Sequence, residues 1–263
     1  MSDCVVPGVW WLHGTRGSNV FAIEYEDNHL VLVDTGFSSS ANAIIQEILD
    51  IPGNRTPSHL LITHAHADHT GAAAALRTHY SLEVIAGATD THKVERRSVI
   101  NDNVGRTHPG RRIAHALRRR ARPVATTTVV DRPIEGEQAI LPGLRAIPVP
   151  GHTPGSYCYV DDARGVAFVG DLIISHPDTL TRPMKLTNTD DAQFLASLAT
   201  FAEGAPDIGC PGHGAPILNN FGEQLRTLAT LPRRSQFSPR LFAIRARRMA
   251  DFSRIISRRR TSS

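Results

Sequence analysis

The period of the apolar positions changes several times along the chain. Val9 to His13, Asn19 to Tyr25 and His29 to Asp34 are short segments rich in Val, Trp, Phe and Ile, divided by Gly or Asp-Asn turn signals, which predicts three strands with an antiparallel start. From Ser39 to Leu49 the spacing turns helical. Ala43, Ile44, Ile45, Ile48 and Leu49 recur on one side, a serine run stands in front as a cap, and Pro52-Gly53 stops the helix. His59 to Ile62 reads as a buried strand, Gly71 to Tyr80 as an Ala-rich helix and Glu83 to Gly87 as a further strand. Thr91 to Arg122 reads as an Arg-rich helical stretch, interrupted at Thr107-His108-Pro109-Gly110.

After Thr126 the two-residue period returns. Strands are predicted over Thr127 to Val130, Gln138 to Leu141, Leu144 to Val149, Tyr157 to Val160 and Val166 to Val169, the last two joined by a hairpin at Asp161 to Gly165. Asp190 to Glu203 carries Phe194, Leu195, Leu198 and Phe201 on one helical face behind a Thr189/Asp190 cap. A last short strand, Asp207 to Cys210, leads into Pro211-Gly212-His213-Gly214. Two successive rounds of strands followed by helices predict two sheets with helices outside them, a four-layer α/β arrangement. Pro239 to Arg260 adds an apolar stripe flanked by arginines, so the expected organisation is a main domain over 1–231 and a basic, helical extension over 232–263.

Composition narrows the class without naming a chemistry. With 263 residues, 41% hydrophobic and 21% charged, the chain falls among globular domains and outside disordered, collagenous and coiled-coil chains. No apolar run approaches the roughly 18 residues of a membrane span. Met1 to Gly14 lacks the basic start and apolar stretch of a secretory signal, and Cys4, Cys158 and Cys210 form no Cys-x-x-Cys pair, so a cytoplasmic, reducing location is the expectation. The formal net charge of +4 is a sum of opposites: Pro232 to Ser263 contains ten Arg and one acid, a local +9, which leaves −5 on the rest. Asn103 to Val130 holds seven arginines and no acid. The basic tail could meet nucleic acid or an anionic membrane surface, but a terminal helix docked on its own domain is the favoured reading.

The chemistry is concentrated elsewhere. His64-Ala65-His66-Ala67-Asp68-His69 offers four metal donors in six residues directly after a buried strand. Imidazole and carboxylate together suit zinc and are acceptable to iron or manganese. In an extended or turning segment His64 and His66 can point one way while Asp68 and His69 point another, so one loop could feed two adjacent ions. His152, in a turn full of Gly and Pro, Asp171, at the end of an apolar strand, and His213, between two glycines, are expected to converge on the same sheet edge. An unneutralised carboxylate behind Phe168-Val169-Gly170 would be costly, which also points to a cation beside Asp171. No Gly-x-Ser-x-Gly or Cys-His motif supplies a rival nucleophile.

Asp34 in Val33-Asp34-Thr35-Gly36, the His64–His69 cluster, His152, Asp171 and His213, in this order, resemble the signature of the metallo-β-lactamase-fold superfamily. The resemblance spans roughly Val9 to Ile217. It implies an αββα sandwich and two divalent ions, zinc in the first instance: one on His64, His66 and His152, the other on Asp68, His69 and His213, with Asp171 bridging and Asp34 supporting the ligand loop. It also implies a binuclear hydrolase whose metal-bound hydroxide attacks a small ester, thioester or lactone carbonyl, with Asp68 handling the leaving-group proton. Lactonases of this family often carry Tyr three positions after the bridging aspartate, where this chain has Ile174. Arg118 and Arg119 are candidate contacts to an acidic small-molecule substrate. Alternatives are a phosphodiesterase or nuclease whose Arg-rich tail holds nucleic acid, a β-lactamase, and a non-catalytic scaffold.

Overall fold

Strands buried on both faces need a cover on each side, and that requirement stacks this molecule. The computed structural model describes residues 2–95, 128–177 and 179–233. Its first half forms a seven-stranded sheet in chain order: β1 (Asp3–Val6), β2 (Val9–Leu12), β3 (Val20–Glu24), β4 (His29–Val33), β5 (Thr56–Leu61), β6 (Glu83–Gly87) and β7 (Arg132–Ile134). Pairing is antiparallel from β1 to β4 and parallel from β4 to β7. The change comes where helices begin to intervene: α1 (Ala41–Leu49) before β5, α2 (Ala67–Thr70) and α3 (Ala73–Tyr80) before β6, and α4 (Thr91–Glu95) after it.

The second sheet contains β8 (Gln138–Leu141), β9 (Leu144–Pro148), β10 (Tyr157–Asp161), β11 (Val166–His176) and β12 (Thr179–Thr181) as antiparallel neighbours. After α5 (Asp191–Glu203), β13 (Ile208–His213) pairs parallel to β11, and α6 (Phe221–Thr230) follows. Alternation along the strands sorts side chains into three cores. In β4, Leu30 and Leu32 face α1 and α3, while Val31 and Val33 join Phe21, Tyr159 and Phe168 between the sheets. In β10, Cys158 and Val160 turn to Phe194, Leu198 and Leu225 of α5 and α6. The layers are therefore α, β, β, α, as the repeated strand-then-helix pattern predicts, and Met1–Thr230 forms one compact unit.

Several expectations shift. The strand expected over Thr127 to Val130 is replaced by β7 at Arg132–Ile134, which among the described residues is an edge strand and so tolerates Pro133. The run ending at Val169 continues to His176, and β13 runs on to His213. Strands β1 and β12 and helix α6 had no predicted counterpart. The continuation of the Arg-rich stretch beyond Glu95, with Arg118 and Arg119, and the tail helix over Pro239 to Arg260 lie outside the described residues. Among the described residues no helix is long and apolar enough to cross a membrane.

Candidate metal centre

The donors are delivered by chain reversals at one end of the two sheets. His64 and His66 lie in the loop after β5, Asp68 and His69 in the short α2, His152 in the turn between β9 and β10, Asp171 within β11, and His213 at the end of β13. Asp171 is thus inside a strand. The strand survives because Gly170 sits at φ +48° in an irregular register, where a Cβ would lie 2.6 Å from Thr63 Oγ1. Only glycine fits both that backbone and that approach.

The structure brings all seven expected donors together. Among the described residues they form two groups, His64, His66, His152 and Asp171, and Asp68, His69 and His213, with the donor atoms of each within 4.8 Å of one another. Asp171 faces both. Its Oδ2 is 3.3 Å from His152 Nε2 and 4.0 Å from His64 Nε2; its Oδ1 is 3.3 Å from His69 Nε2 and 3.4 Å from His213 Nε2. His66 presents Nδ1, 2.9 Å from His64 Nε2 and 3.1 Å from His152 Nε2. Asp68 Oδ2 lies 3.5 Å from His213 Nε2.

The outward nitrogens of His64, His69 and His152 are spoken for, which decides what their inward ones can do. His69 Nδ1 donates to Asp34 Oδ2 at 2.7 Å, so its Nε2 is left for the centre. Asp34, at φ +58° directly after β4, also accepts the Thr63 hydroxyl on Oδ2 at 2.7 Å and the Thr63 backbone N–H on Oδ1 at 2.9 Å. With its proton committed to Asp34, Thr63 Oγ1 accepts from His64 Nδ1 at 3.1 Å. His152 Nδ1 donates to Asn188 Oδ1 at 2.9 Å, and the Asn188 amide donates to Asp191 at 2.7 Å. Thr35 donates to the carbonyl of His69 at 2.8 Å. Asn188, Thr63 and Thr35 carry no spacing signal in the sequence, so their roles are visible only in three dimensions.

Electrostatics divide the cluster. Burial, then the neighbouring imidazoles, holds His64 well below the usual histidine range. Burial and His152 bring His66 down to about 4. Against the opposing effect of burial, Asp34 and Asp171 push His69 well up, and Asp171 and Asp68 raise His213. Burial likewise opposes ionisation of Asp68 and Asp171, but His213 holds Asp68 down to about 2, and His213 and His69 hold Asp171 well below the carboxylate range. Even so, His69 Nε2 and Asp171 Oδ1 are buried without a hydrogen-bond partner. Orphaned polar atoms aimed at one another, beside imidazole nitrogens held 2.9 to 3.1 Å apart, mark a site shaped for cations. The donor set fits a divalent metal.

Comparison with known proteins agrees with this geometry. The chain is 27% identical to "Probable metallo-hydrolase YybB" of Bacillus subtilis over 74% of this chain and 80% of that one. It is 25% identical to the thioesterase pkgB of Emericella nidulans over 83% of this chain, which is 53% of that longer protein. Among solved structures, TTHA1623 in a di-iron-bound form superposes with a TM-score of 0.58 at 25% identity, covering 76% of this chain and 90% of that one. A family model described as the metallo-beta-lactamase superfamily matches residues 13–233, and the chain belongs to that superfamily.

Proposed function

We propose that this hydrolase holds two divalent ions, one among His64, His66 and His152 and the other among Asp68, His69 and His213, with Asp171 shared, and that it cleaves a small thioester, ester or lactone. The single observation that carries the reading is the orientation of Asp171, whose two oxygens face different donor groups within one strand. Such an ion pair supplies Lewis acidity at the substrate carbonyl and lowers the pKa of a coordinated water toward ~7. Zinc suits the mixed imidazole and carboxylate donors; iron is the competing choice, given the di-iron form of a structural relative.

The protein's own groups divide the remaining work. Asp34 and Asn188 fix the tautomers of His69 and His152, so no ring reorganisation is needed when a ligand arrives. The Asp68 side chain is 29% exposed, and its ionised Oδ2 lies on the open side of the cluster beside His213, where it can take up a proton and deliver it to a departing thiolate or alkoxide. The thioester preference is supported by the similarity to a thioesterase.

Metal analysis of the purified protein, with a panel of thioester, lactone, β-lactam and phosphodiester substrates and Asp171→Ala as control, tests the reading. Two bound equivalents with thioester or lactone turnover that the variant loses is the expected result. Less than one equivalent at saturation, or turnover confined to phosphodiesters or β-lactams, overturns it.

A further inference from the structure

Asp90 is a buried carboxylate beneath the donor cluster that neither the sheets nor the donor set explains. It ends the single turn (Ala88–Asp90) after β6 and is 1% exposed. One oxygen, Oδ2, accepts the backbone N–H of Ala65 at 3.0 Å and the hydroxyl of Thr153 at 2.5 Å. Ala65 stands between His64 and His66, and Thr153 follows His152. The Thr153 hydroxyl gives its proton to Asp90 and is 2.8 Å from Ser156 Oγ, which donates to it and accepts the Thr153 backbone N–H at 3.0 Å. The contact is also steric: a Cβ on Gly155 would lie 2.7 Å from Asp90 Cβ, so the His152 turn rests directly on this residue.

The other oxygen, Oδ1, is buried without a hydrogen-bond partner, 3.8 Å from the Lys93 ammonium. A carboxylate so placed costs desolvation that an apolar residue would avoid. What it provides is one acceptor able to serve two donors arriving from different sheets. His66 Nδ1 and His152 Nε2, carried by those two loops, approach to 3.1 Å, a separation that a small shift of either loop would spoil.

We propose that Asp90 is a positioning residue of the centre, its Oδ2 setting the separation between the loop that carries His64 and His66 and the turn that carries His152. The inference rests on the metal-centre reading above, and its test separates the two. Asparagine keeps one acceptor oxygen for both donors and puts its amide where the unpaired oxygen lies. Alanine removes both bonds and strands the Ala65 N–H, while Thr153→Val removes, of Asp90's two bonds, only that to the His152 turn, together with the bond from Ser156 within that turn.

The full-length protein and its Asp90→Ala, Asp90→Asn and Thr153→Val variants are titrated with zinc against a chromophoric chelator, and the visible spectra of their cobalt(II) forms are recorded. Asp90→Ala is expected to lose about 10- to 100-fold in affinity for one of the two ions and to show an altered cobalt spectrum. Thr153→Val should move both readouts in the same direction by less, and Asp90→Asn should match the parent in both. If Asp90→Ala does not fold, Thr153→Val and Asp90→Asn carry the decision. Parental zinc affinity and cobalt spectrum in Thr153→Val and in any folded Asp90→Ala overturn the proposal, as does an Asp90→Asn variant whose affinity for one ion falls 10-fold or more. A parent protein that takes up no metal overturns the metal-centre reading instead, a result distinct from any change confined to the variants.

Discussion

The imidazoles of His64 and His152 are enclosed and steadied by uncharged partners, whereas Asp68 and His213 are partly exposed and, with the fully buried His69, are balanced by charge. His64 and His152 are 1% and 3% exposed, against 29% for the side chains of both Asp68 and His213. Thr63 and Asn188 hold the His64 and His152 rings of the first group, and Asp34 holds His69 of the second. Burial pushes His64 and His66 toward the neutral form, while flanking carboxylates raise His69 and His213. Similar donors are thus prepared in two ways, one by excluding charge and one by compensating it. Asp171 is the charge both ways depend on.

Removing that shared carboxylate is therefore expected to have the largest effect. Asp171→Ala should lower kcat/KM beyond the about 10- to 100-fold that loss of an outer hydrogen-bond partner costs, and should weaken both ions. A variant that loses one ion and keeps the other at parental affinity would show the groups to be independent and would break the comparison.

Asp34→Asn comes next and should sharpen the contrast. An amide nitrogen in place of Oδ2 cannot accept from His69 Nδ1 or from the Thr63 hydroxyl. His69 loses a direct partner, but His64 loses only one relayed through Thr63. Zinc titration should show affinity at the second group falling by about 10- to 100-fold and that at the first much less. Equal losses at both would mean that Asp34 acts on the whole loop rather than on His69.

The parts of the site were unequally legible in the sequence. The His64–His69 cluster declares itself by density, four donors in six residues, and the four layers follow from strands with apolar residues on both faces. Asp171 could be singled out, but its place inside a strand could not, because a glycine after an apolar run signals a stop and here Gly170 makes an irregularity the strand passes through. Helix α6 escaped although Phe221, Leu225 and Leu228 keep helical spacing behind Asn220, a cap candidate with Glu223 three residues on, because the intervening residues are polar. Asp90, Asn188 and Asn19 are ordinary polar residues in one dimension. Their function comes from loops of different sheets meeting, which no local period encodes.

Asn19 exemplifies that, and Asn19→Ala is expected to have a smaller, one-sided effect. Its amide donates to the carbonyls of Pro211 at 2.8 Å and Gly214 at 2.6 Å, on either side of His213, and its backbone N–H donates to Gly212 at 2.7 Å. Ser18 N–H donates to Asp68 O at 3.0 Å, so residues 18 and 19 strap both exposed donors of the second group. Alanine removes two partly solvated bonds, about 1 to 2 kcal/mol, and should lower Tm by roughly 2–4 °C per kcal/mol in a domain of this size. Zinc affinity at the second group should drop with it. A matching drop at the three-imidazole group would show that the strap supports the sandwich at large and would remove the distinction between the groups' supports.

The smallest effect is expected away from both groups, where it separates scaffold stability from donor chemistry. Arg77 of α3 donates to Asp131, Nε to Oδ2 at 3.1 Å and Nη2 to Oδ1 at 2.6 Å, and Asp131 Oδ2 also accepts Val84 N–H of β6 at 2.9 Å. The bond from Arg77, against a smaller effect of burial, holds the Asp131 carboxyl below its ordinary value. A carboxyl depressed in the folded state contributes stability that is complete above its unfolded pKa near ~4 and drains away as pH falls through the lower folded value. With side chains 37% and 30% exposed, the pair is screened, so Arg77→Ala should cost only about 0.2–1 kcal/mol at pH 7. Denaturant midpoints recorded from pH 7 down to pH 2 should converge with those of the parent as the carboxyl protonates, while zinc affinity at pH 7 stays parental. A gap that widens in acid would contradict the sign of the Asp131 shift, and a loss of zinc affinity would extend the second group's charge balance to a residue that touches none of its donors.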